Sequence, residues 1–380
     1  MKRTLVVSND FGPRTGGIES FVNALVERAP RDSVVVHACR QEGDLEYDAE
    51  LLARTGVQVI RDPMKMLLPT PALARRVAHT AREFDCSSAW FGAAAPLGLL
   101  APTLRKVGVS RIIATTHGHE VWWSRTPGAK QLLHRIGEVT DVVTYLGQYT
   151  RERIGAALSE SARARMQQLT PGVDEAFFRP GLDATHIAEQ LGLVDRPLIV
   201  SVGRLVPRKG QDRLIEALPE IRKRVKDAAL VLVGEGPYRN KLEARIRQLD
   251  LSDHVRMVGR VPLDQLPLYL TAGKVFAMPS RNRLGGMEVE GLGIVYLEAS
   301  ACGVPVIAGN SGGAPDAVQE GITGFVVDGQ DRHEIAKRII TLLENPQLAK
   351  RMGEAGREFV EQNWRWDQIV ERHQMMLHQA

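Results

Sequence analysis

Apolar residues occur in short uninterrupted runs that alternate with longer stretches in which they recur at helical spacing. Runs without polar alternation predict strands of a sheet that is covered on both faces. In the first half of the chain, strands are predicted at residues 5–8, 34–36, 57–60, 111–115 and 141–144, and helices at residues 18–28 and 72–83.

A segment rich in turn-forming residues, 170–181, interrupts this alternation and predicts a linker. Beyond it the alternation restarts, with strands predicted at residues 198–202, 229–233, 255–258, 275–278 and 304–308, and helices at residues 212–225 and 238–249. Such alternation predicts parallel, doubly wound sheets with right-handed crossovers. We therefore predict an α/β protein with two Rossmann-like domains, residues 1–169 and 182–360. Residues 361–380 are predicted to form a C-terminal helix that crosses back to the first domain.

Composition narrows the class of protein. A chain of 380 residues with 44% hydrophobic content is long enough for two cores. The net charge of +4 fits an anionic ligand or surface, and the dispersed basic residues carry no nucleic-acid-reading signature. The cysteines, Cys39, Cys86 and Cys302, form no C-x-x-C pair and fit idle thiols in a reducing compartment. With no signal peptide and no run of about 20 apolar residues, we expect a cytoplasmic protein.

The first cluster with chemical meaning follows the first predicted strand and contains Gly12, Gly16 and Gly17. Glycines before a helix let backbone N–H groups approach a phosphate. A plain tight turn explains them equally well. The spacing is not G-x-G-x-x-G, which argues against a nicotinamide-dependent dehydrogenase.

The second cluster, residues 203–210, follows a strand of the second domain. Arg204 can hold phosphate oxygens with its planar fork, and Lys209 adds a point charge. Arg208 is predicted to face solvent. A basic surface loop is the alternative, and the position at the carboxyl end of a strand makes it the weaker one.

The third cluster begins at Glu290 and leads through a glycine-rich loop into a helix that carries Glu298. Glu298 lies about 7 to 8 Å along the helix axis from Gly293. Two carboxylates so placed can hold two parts of one extended ligand, and the helix N-terminus can meet a phosphate. An ordinary carboxylate on a helix face is the alternative for Glu298.

These clusters and several further motifs together resemble the retaining glycosyltransferases of the two-domain type GT-B, family four. The motifs are Gly16-Gly17, the G-R-L-x-x-x-K-G pattern at 203–210, residues 234–237 and 278–280, the E-x7-E pair at Glu290 and Glu298, and residues 301–306. The resemblance covers essentially the whole chain. It implies two doubly wound Rossmann-like domains that face each other across a cleft.

Within this family the chain is similar to the actinobacterial mannosyltransferases that build phosphatidylinositol mannosides from GDP-mannose. The features that carry this similarity are residues 116–120 with Trp122 and Trp123, and the run 205–209. It is closest in kind to the enzymes that add the second mannose through an α-1,6 bond. The resemblance implies GDP-mannose as donor, a phosphatidylinositol mannoside lipid as acceptor, and a peripheral location on the inner face of the plasma membrane, with an anionic membrane surface as partner.

The resemblance also assigns roles to individual residues. It implies catalytic roles for Arg204, Lys209, Glu290 and His117, with the two cations on the diphosphate, Glu290 on the donor sugar and His117 near the transferred sugar. Gly17 is expected to offer its N–H to the donor phosphate, Glu298 to contact the ribose, and residues 257–264 to wrap the base. The full set expected to bind the donor is Gly16, Gly17, Arg204, Lys209, Met257, Val261, Asp264, Glu290, Gly291, Leu292, Gly293 and Glu298.

Three details stay open at this stage. His119 is the alternative to His117 as the active-site histidine. Asp264 is the acidic candidate for reading guanine, although helix N-capping is at least as good a role, and backbone groups around Val261 are the substitute. No Asp-x-Asp motif is present, so we expect no metal cofactor, and the resemblance implies same-face attack assisted by the leaving phosphate.

A candidate membrane segment runs from Met64 to Arg82 and combines apolar with basic residues, including Lys65, Arg75 and Arg76. Such a combination suits the headgroup boundary of an anionic membrane. The alternative is that the leucines Leu67, Leu68 and Leu73 pack onto the first sheet.

Other functions compatible with the sequence are a family-four enzyme with another donor or a soluble acceptor, a sugar-nucleotide 2-epimerase, and a non-catalytic nucleotide-sugar-binding module. The presence of both carboxylates and both basic residues makes the module the weaker reading. The chemical nature of the product separates a transferase from an epimerase.

Overall fold

The computed structural model describes residues 3–14 and 16–378. By its internal contacts the chain divides into two compact units. The first unit comprises residues 1–171 and 367–380, and the second comprises residues 172–366. The boundary between them after residue 171 lies inside the segment 170–181 that was expected to be the linker.

The first unit is built on a seven-stranded sheet in which every paired strand is parallel. Its strands are β1 (Arg3–Ser8), β2 (Val34–Cys39), β3 (Gln58–Asp62), β4 (Cys86–Phe91), β5 (Arg111–Thr115), β6 (Val142–Tyr145) and β7 (Gln167–Gln168). The order across the sheet is β3-β2-β1-β4-β5-β6-β7, which reverses direction between β1 and β4. Ligands of doubly wound proteins bind beyond the carboxyl ends of the strands at such a reversal.

Helices cover this sheet because their apolar positions recur at helical spacing. They are α1 (Gly17–Glu27), α2 (Asp44–Thr55), α3 (Pro71–Glu83), α4 (Ala101–Arg105), α5 (Glu120–Arg125), α6 (Ala129–Val139), α7 (Gln148–Gly155) and α8 (Glu160–Ala164). The start of α3 shows the local rule, because the Thr70 hydroxyl accepts a hydrogen bond from the N–H of Leu73 and Pro71 occupies the first turn.

The second unit repeats the same plan with six parallel strands. These are β8 (Leu198–Val202), β9 (Ala229–Val233), β10 (Val255–Gly259), β11 (Val275–Met278), β12 (Val306–Gly309) and β13 (Gly324–Val327), in the order β10-β9-β8-β11-β12-β13. The helices are α9 (Thr185–Gln190), α10 (Gln211–Arg224), α11 (Arg239–Gln248), α12 (Leu266–Ala272), α13 (Ile294–Ala301), α14 (Arg332–Glu344) and α15 (Pro346–Asn363). The reversal lies between β8 and β11. The predicted fold class, two doubly wound Rossmann-like domains, is confirmed.

The last helix, α16 (Trp366–His378), packs on the first unit. Nε of Arg111 donates a hydrogen bond of 2.8 Å to the carbonyl oxygen of Met376. The ring of His373 lies against Trp90, which belongs to β4. The C-terminal segment therefore completes the unit with which the chain begins.

Three strands, β4, β7 and β13, were absent from the strands expected on sequence grounds. Strands were predicted from uninterrupted apolar runs, and in β4 the serines at 87 and 88 interrupt such a run. In the structure the hydroxyls of Ser88 and Thr4 are hydrogen-bonded to each other at 2.8 Å, and both residues are buried in the sheet. Paired hydroxyls allow a polar residue to sit in a covered strand.

Candidate active site

A buried carboxylate, Glu290, contacts two cations in the second unit. Its Oε2 atom is 2.8 Å from Nζ of Lys209 and 2.6 Å from Nη1 of Arg208. Burial by itself would raise the pKa of Glu290, but the charges of Lys209 and then Arg208, with their hydrogen bonds, outweigh it and lower the pKa. Glu290 is therefore an ionised, doubly paired carboxylate at neutral pH.

The prediction that Arg208 faces solvent was wrong. Its side chain is 26% exposed, and its guanidinium is bound to Glu290. Residues 207–209 form one turn of 3-10 helix, which directs both Arg208 and Lys209 towards the same carboxylate. Gly210 closes this turn with a φ of +78°, and a Cβ atom there would lie 2.0 Å from the carbonyl oxygen of Pro279. Only glycine lets the turn pack this closely against the end of β11.

A second loop, directly after β12, fixes the backbone of Glu290. The N–H of Glu290 donates to the Ser311 hydroxyl at 3.1 Å, and the N–H of Gly313 donates to the Glu290 carbonyl at 2.9 Å. The Ser311 hydroxyl donates in turn to Oδ1 of Asn282 at 3.0 Å. A Cβ atom on Gly312 would lie 2.0 Å from the Glu290 carbonyl oxygen. Sequence reasoning did not single out Ser311 or Asn282.

The second carboxylate, Glu298, has a different electrostatic state. It lies in α13, as predicted, and burial raises its pKa to about 7, an effect that the charge of Lys209 partly offsets. The loop before this helix holds Gly291, the buried Leu292 and Gly293, which is the N-cap and has a φ of +78°. Two carboxylates with pKa values pushed in opposite directions are typical of functional sites.

Four further residues expected to bind the donor lie on the same unit but are more exposed than Glu290. Arg204 is exposed directly after β8 and makes no ion pair with any described residue. Met257 is half-buried in β10, and Val261 packs on the core next to that strand. Asp264 is exposed in a 3-10 helix, and α12 has Gln265 as its N-cap with no side-chain cap, so the capping role considered for Asp264 is not observed.

In the first unit, the glycine loop after β1 leads into α1. Gly17 is the first residue of the helix, and a Cβ atom there would have no neighbour within 4 Å. Gly16 is the N-cap of this helix, and a Cβ atom on it would lie 2.3 Å from a carboxylate oxygen of Glu19. Nε of Arg14 donates to Glu19 at 2.6 Å, and its Nη2 lies 3.2 Å from Oδ1 of Asp10.

Asp10 and Glu19 were not singled out by sequence reasoning. Burial, and then the charge of Glu19, raise the pKa of Asp10, while the charges of His117, Arg14 and His119 lower it. A carboxylate immediately beyond a strand that borders the reversal was the available signal.

The two histidines of the segment 116–120 occupy different environments. Nε2 of His117 is 2.5 Å from the carbonyl oxygen of Gly92, so this nitrogen carries the proton. Burial lowers the pKa of His117, although the charge of Glu120 opposes the effect, and the ring is held neutral. His119 is exposed, and its Nε2 lies 3.3 Å from Oε1 of the fully buried Glu120. Glu120 also accepts a hydrogen bond of 2.9 Å from the N–H of His117 and so ties both histidines together.

Comparisons with known proteins agree with this arrangement. Residues 183–359 match the family model described as glycosyl transferases group 1. A GDP-mannose-dependent alpha-(1-6)-phosphatidylinositol monomannoside mannosyltransferase of Mycolicibacterium smegmatis is 49% identical over 95% of this chain and 94% of its own length. The chain belongs to the group 1 glycosyltransferases. A GDP-mannose-dependent monoacylated alpha-(1-6)-phosphatidylinositol monomannoside mannosyltransferase of Corynebacterium glutamicum is 44% identical over 98% of this chain and 96% of its own length.

Solved structures show that this glycosyltransferase has the GT-B fold. HepE of Anabaena, crystallised with UDP, has a TM-score of 0.83 at 20% identity, with 100% of each chain covered. The second unit of the glycosyltransferase brings Lys209 and Glu290 into contact, with Glu298 near Lys209. Within the part of the chain that the structure describes, no group of three His, Cys, Asp or Glu side chains is arranged to hold a metal ion.

Proposed function

We propose that this glycosyltransferase moves mannose from GDP-mannose to phosphatidylinositol monomannoside, forming an α-1,6 bond with retention at the anomeric carbon. The near-full-length similarity to enzymes with this activity supports both the donor and the acceptor. The structural observation that carries the proposal is the cation group after β8, in which Lys209 contacts the buried Glu290.

The cations have a direct chemical use in this reaction. Breaking the bond between mannose and the diphosphate leaves negative charge on GDP, and fixed positive groups that meet this charge lower the barrier. Arg204 and Lys209 supply the charge that a metal ion supplies in other enzymes. The carboxylate of Glu290 then accepts hydrogen bonds from hydroxyls of the mannose, and Glu298 accepts from the ribose.

A lipid acceptor requires the enzyme to dock on a membrane, and the segment after β3 has the surface for it. Met64, Met66 and Leu68 are 54%, 61% and 51% exposed, whereas Leu67 between them is fully buried. No helix within the described residues is long and apolar enough to cross a membrane. The proposed mode of binding is therefore peripheral, with these three side chains at the headgroup boundary.

The backbone of this segment is held in place from within the unit. The amide of Asn9 donates to the carbonyl of Leu67 at 3.0 Å and accepts from its N–H at 2.6 Å. Oδ1 of Asp62 accepts from the N–H of Met64 at 3.0 Å. Exposed apolar side chains on an anchored backbone are suited to contact with a partner surface, because the backbone that carries them is already ordered.

Basic side chains lie in the same segment of the chain. Lys65, Arg75 and Arg82 are exposed, and each is worth about 1 kcal/mol near an anionic leaflet. The free, buried cysteines of the chain fit a reducing compartment. We propose the inner face of the plasma membrane as the location of the enzyme, and these features support it.

One assay tests the proposed function. Purified enzyme is incubated with GDP-mannose or UDP-glucose against phosphatidylinositol, its monomannoside and a soluble sugar acceptor, and the products are identified by mass spectrometry. A dimannosylated lipid formed only from GDP-mannose is the expected result. A glycosylated soluble acceptor, or an epimerised nucleotide sugar without transfer, contradicts the proposal and identifies the alternative enzyme.

A further inference from the structure

Arg208 and Lys209 share a single oxygen atom of Glu290, and the proposed reaction gives only Lys209 a place on the donor. Both hydrogen bonds, of 2.6 and 2.8 Å, end on Oε2. In the proposed reaction Lys209 must bind the diphosphate while Glu290 binds the sugar. The donor therefore has to separate a buried ion pair that is intact before it arrives.

Separating that pair is unfavourable unless a second cation stays behind. Glu290 is 6% exposed, and an unpaired ion in such a site loses several kcal/mol of solvation. With Lys209 as its sole partner, Glu290 would either retain the lysine or take up a proton. Either result would disable one half of the donor site.

The geometry distinguishes the cation that moves from the cation that stays. Nζ of Lys209 lies 3.8 Å from the point where a Cβ atom of Gly203 would be, so the ammonium group borders the end of β8, where an anion is expected. An ammonium group on a flexible stem carries three donors that rotate freely between partners.

Arg208 is anchored to the rest of the unit through its backbone. Its carbonyl oxygen accepts a hydrogen bond of 2.8 Å from the N–H of Arg281. The guanidinium of Arg281 binds both oxygens of Asp212, at 3.0 and 2.8 Å, which fixes this contact to α10. The backbone of Arg208 is thus tied to a rigid part of the unit while its guanidinium holds Glu290.

We propose that Arg208 is a positioning residue: it keeps Glu290 oriented and charged when Lys209 transfers its hydrogen bond to the donor diphosphate. This inference rests on the proposed roles of Lys209 and Glu290. It assigns to Arg208 an effect on turnover that is exerted through Glu290 and not through contact with the phosphate.

The test compares Arg208→Gln and Arg208→Lys with the matched control Arg224→Gln, which removes an arginine paired at 2.9 Å with Glu344 in the same unit. Arg208→Gln should lower kcat about tenfold or more and leave KM for GDP-mannose and calorimetric GDP affinity within about twofold. The acid limb of its kcat–pH profile should move to higher pH, because Glu290 loses a cation that lowers its pKa. Arg208→Lys should restore part of kcat, and Arg224→Gln should resemble the wild type in turnover and in melting temperature.

A double variant provides the decisive control. If Arg208 acts through Glu290, adding Arg208→Gln to Glu290→Gln should cause little further loss of kcat. A parallel fall in GDP affinity, or fully additive losses, would overturn the proposal and make Arg208 a phosphate ligand. An unchanged kcat in Arg208→Gln would also overturn it. Failure of the wild type to use GDP-mannose would count against the proposed function alone, since the same comparison can be made with whichever donor it accepts.

Discussion

The imidazole of His373 lies against the indole of Trp90, with ring centroids 4.4 Å apart and the planes inclined by 64°. Among the described residues, neither ring nitrogen of His373 has a hydrogen-bond partner. Burial, with a smaller contribution from His378, lowers the pKa of His373 to about 3. The helix at the C-terminus is therefore attached to the first sheet through a histidine that must stay neutral.

This histidine should make stability depend on pH. Its folded pKa is below the unfolded value of about 6.5, so its full contribution is present above that value and is lost as the pH falls towards 3. Between pH 7.5 and 4.5 the wild type should lose about 2 to 3 kcal/mol of unfolding free energy through this group. Urea unfolding of His373→Leu should show a correspondingly smaller loss. His79→Leu, at an exposed position, is the control, and equal pH dependence in all three proteins contradicts the prediction.

Glu298 should make nucleotide binding depend on pH. Its pKa is raised to about 7, so about half of the carboxyl groups are protonated at neutrality. A ribose hydroxyl that donates to Glu298 favours the ionised form, and GDP affinity should therefore rise as the pH increases through 7. Calorimetry from pH 6 to 8 should show that Glu298→Gln binds GDP more weakly than the wild type and lacks the rise of affinity with pH that Glu298 causes. The titration of GDP itself affects both proteins equally. Glu290→Gln should mainly lower kcat, and equal losses of GDP affinity in the two variants contradict this division of roles.

His117 should matter more for turnover than His119. The ring of His117 is fixed by the Gly92 carbonyl and kept neutral by burial, whereas His119 is exposed beside Glu120. We expect His117→Ala to lower kcat by about 10²-fold, a typical effect for a group that assists proton or hydroxyl positioning, and His119→Ala by less than about tenfold. Both are measured at saturating donor, with melting temperatures as the control for folding. The reverse order would assign the active-site role to His119.

Sequence reasoning was most successful where position along a strand determines position in the fold. Lys209 was placed at the carboxyl end of a strand of the second sheet and Glu290 in a glycine-rich loop before a helix, and in the structure the two side chains are in contact. It failed for Arg208 because the direction of a side chain in a one-turn helix depends on packing, here on the close approach of Gly210 to Pro279. The contact between Arg208 and Glu290 spans 82 residues, and no local pattern reports it.

The polar residues of the first unit were harder to recognise for a related reason. Glu19, in the first turn of α1, has the pattern of an ordinary surface carboxylate, yet it is buried and paired with Arg14. Ser88 interrupts an apolar run, and β4 was therefore not predicted. In the structure the Ser88 hydroxyl is hydrogen-bonded to the hydroxyl of Thr4 on the neighbouring strand. In both cases the partner that permits burial is supplied by another element.

Arg76 should contribute to folding and not to lipid binding. It was expected among the basic residues of the membrane segment, but its guanidinium binds both oxygens of the fully buried Asp62, at 2.6 and 3.0 Å. Arg76→Ala leaves that carboxylate without its cation and should lower the unfolding free energy by about 2 to 4 kcal/mol. Arg75→Ala, at an exposed neighbouring position, should change it by less than about 0.5 kcal/mol. Urea unfolding checks both, and equal effects would mean that the ion pair does not hold in solution.

Vesicle binding should depend on the exposed part of the segment from Met64 to Arg82. Leu67 and Leu73 pack in the core, as the structural alternative required, but Leu68 does not, and it is exposed together with Met64 and Met66. Because Arg76 is committed to Asp62, the basic residues left for lipid are Lys65, Arg75 and Arg82. Reversing these three charges should weaken binding to vesicles containing phosphatidylinositol by about 100-fold or more, since each is worth about 1 kcal/mol.

Co-sedimentation separates the apolar from the electrostatic contribution. Met66→Ser with Leu68→Ser should weaken binding at all salt concentrations, whereas the charge-reversed protein should differ from the wild type mainly at low salt, where surface charges are least screened. Leu45→Ser with Leu52→Ser removes two other exposed apolar side chains, 73% and 45% exposed, from α2 and should leave binding intact. All three proteins should bind GDP normally, because none of these residues is in the set expected to bind the donor. The Met66→Ser/Leu68→Ser protein and the charge-reversed protein should lose activity on lipid acceptor in proportion to their loss of vesicle binding. If the wild type does not bind vesicles, or if the α2 control weakens binding as much as the other two, the segment is not the membrane face and the lipid acceptor loses its physical support in this structure.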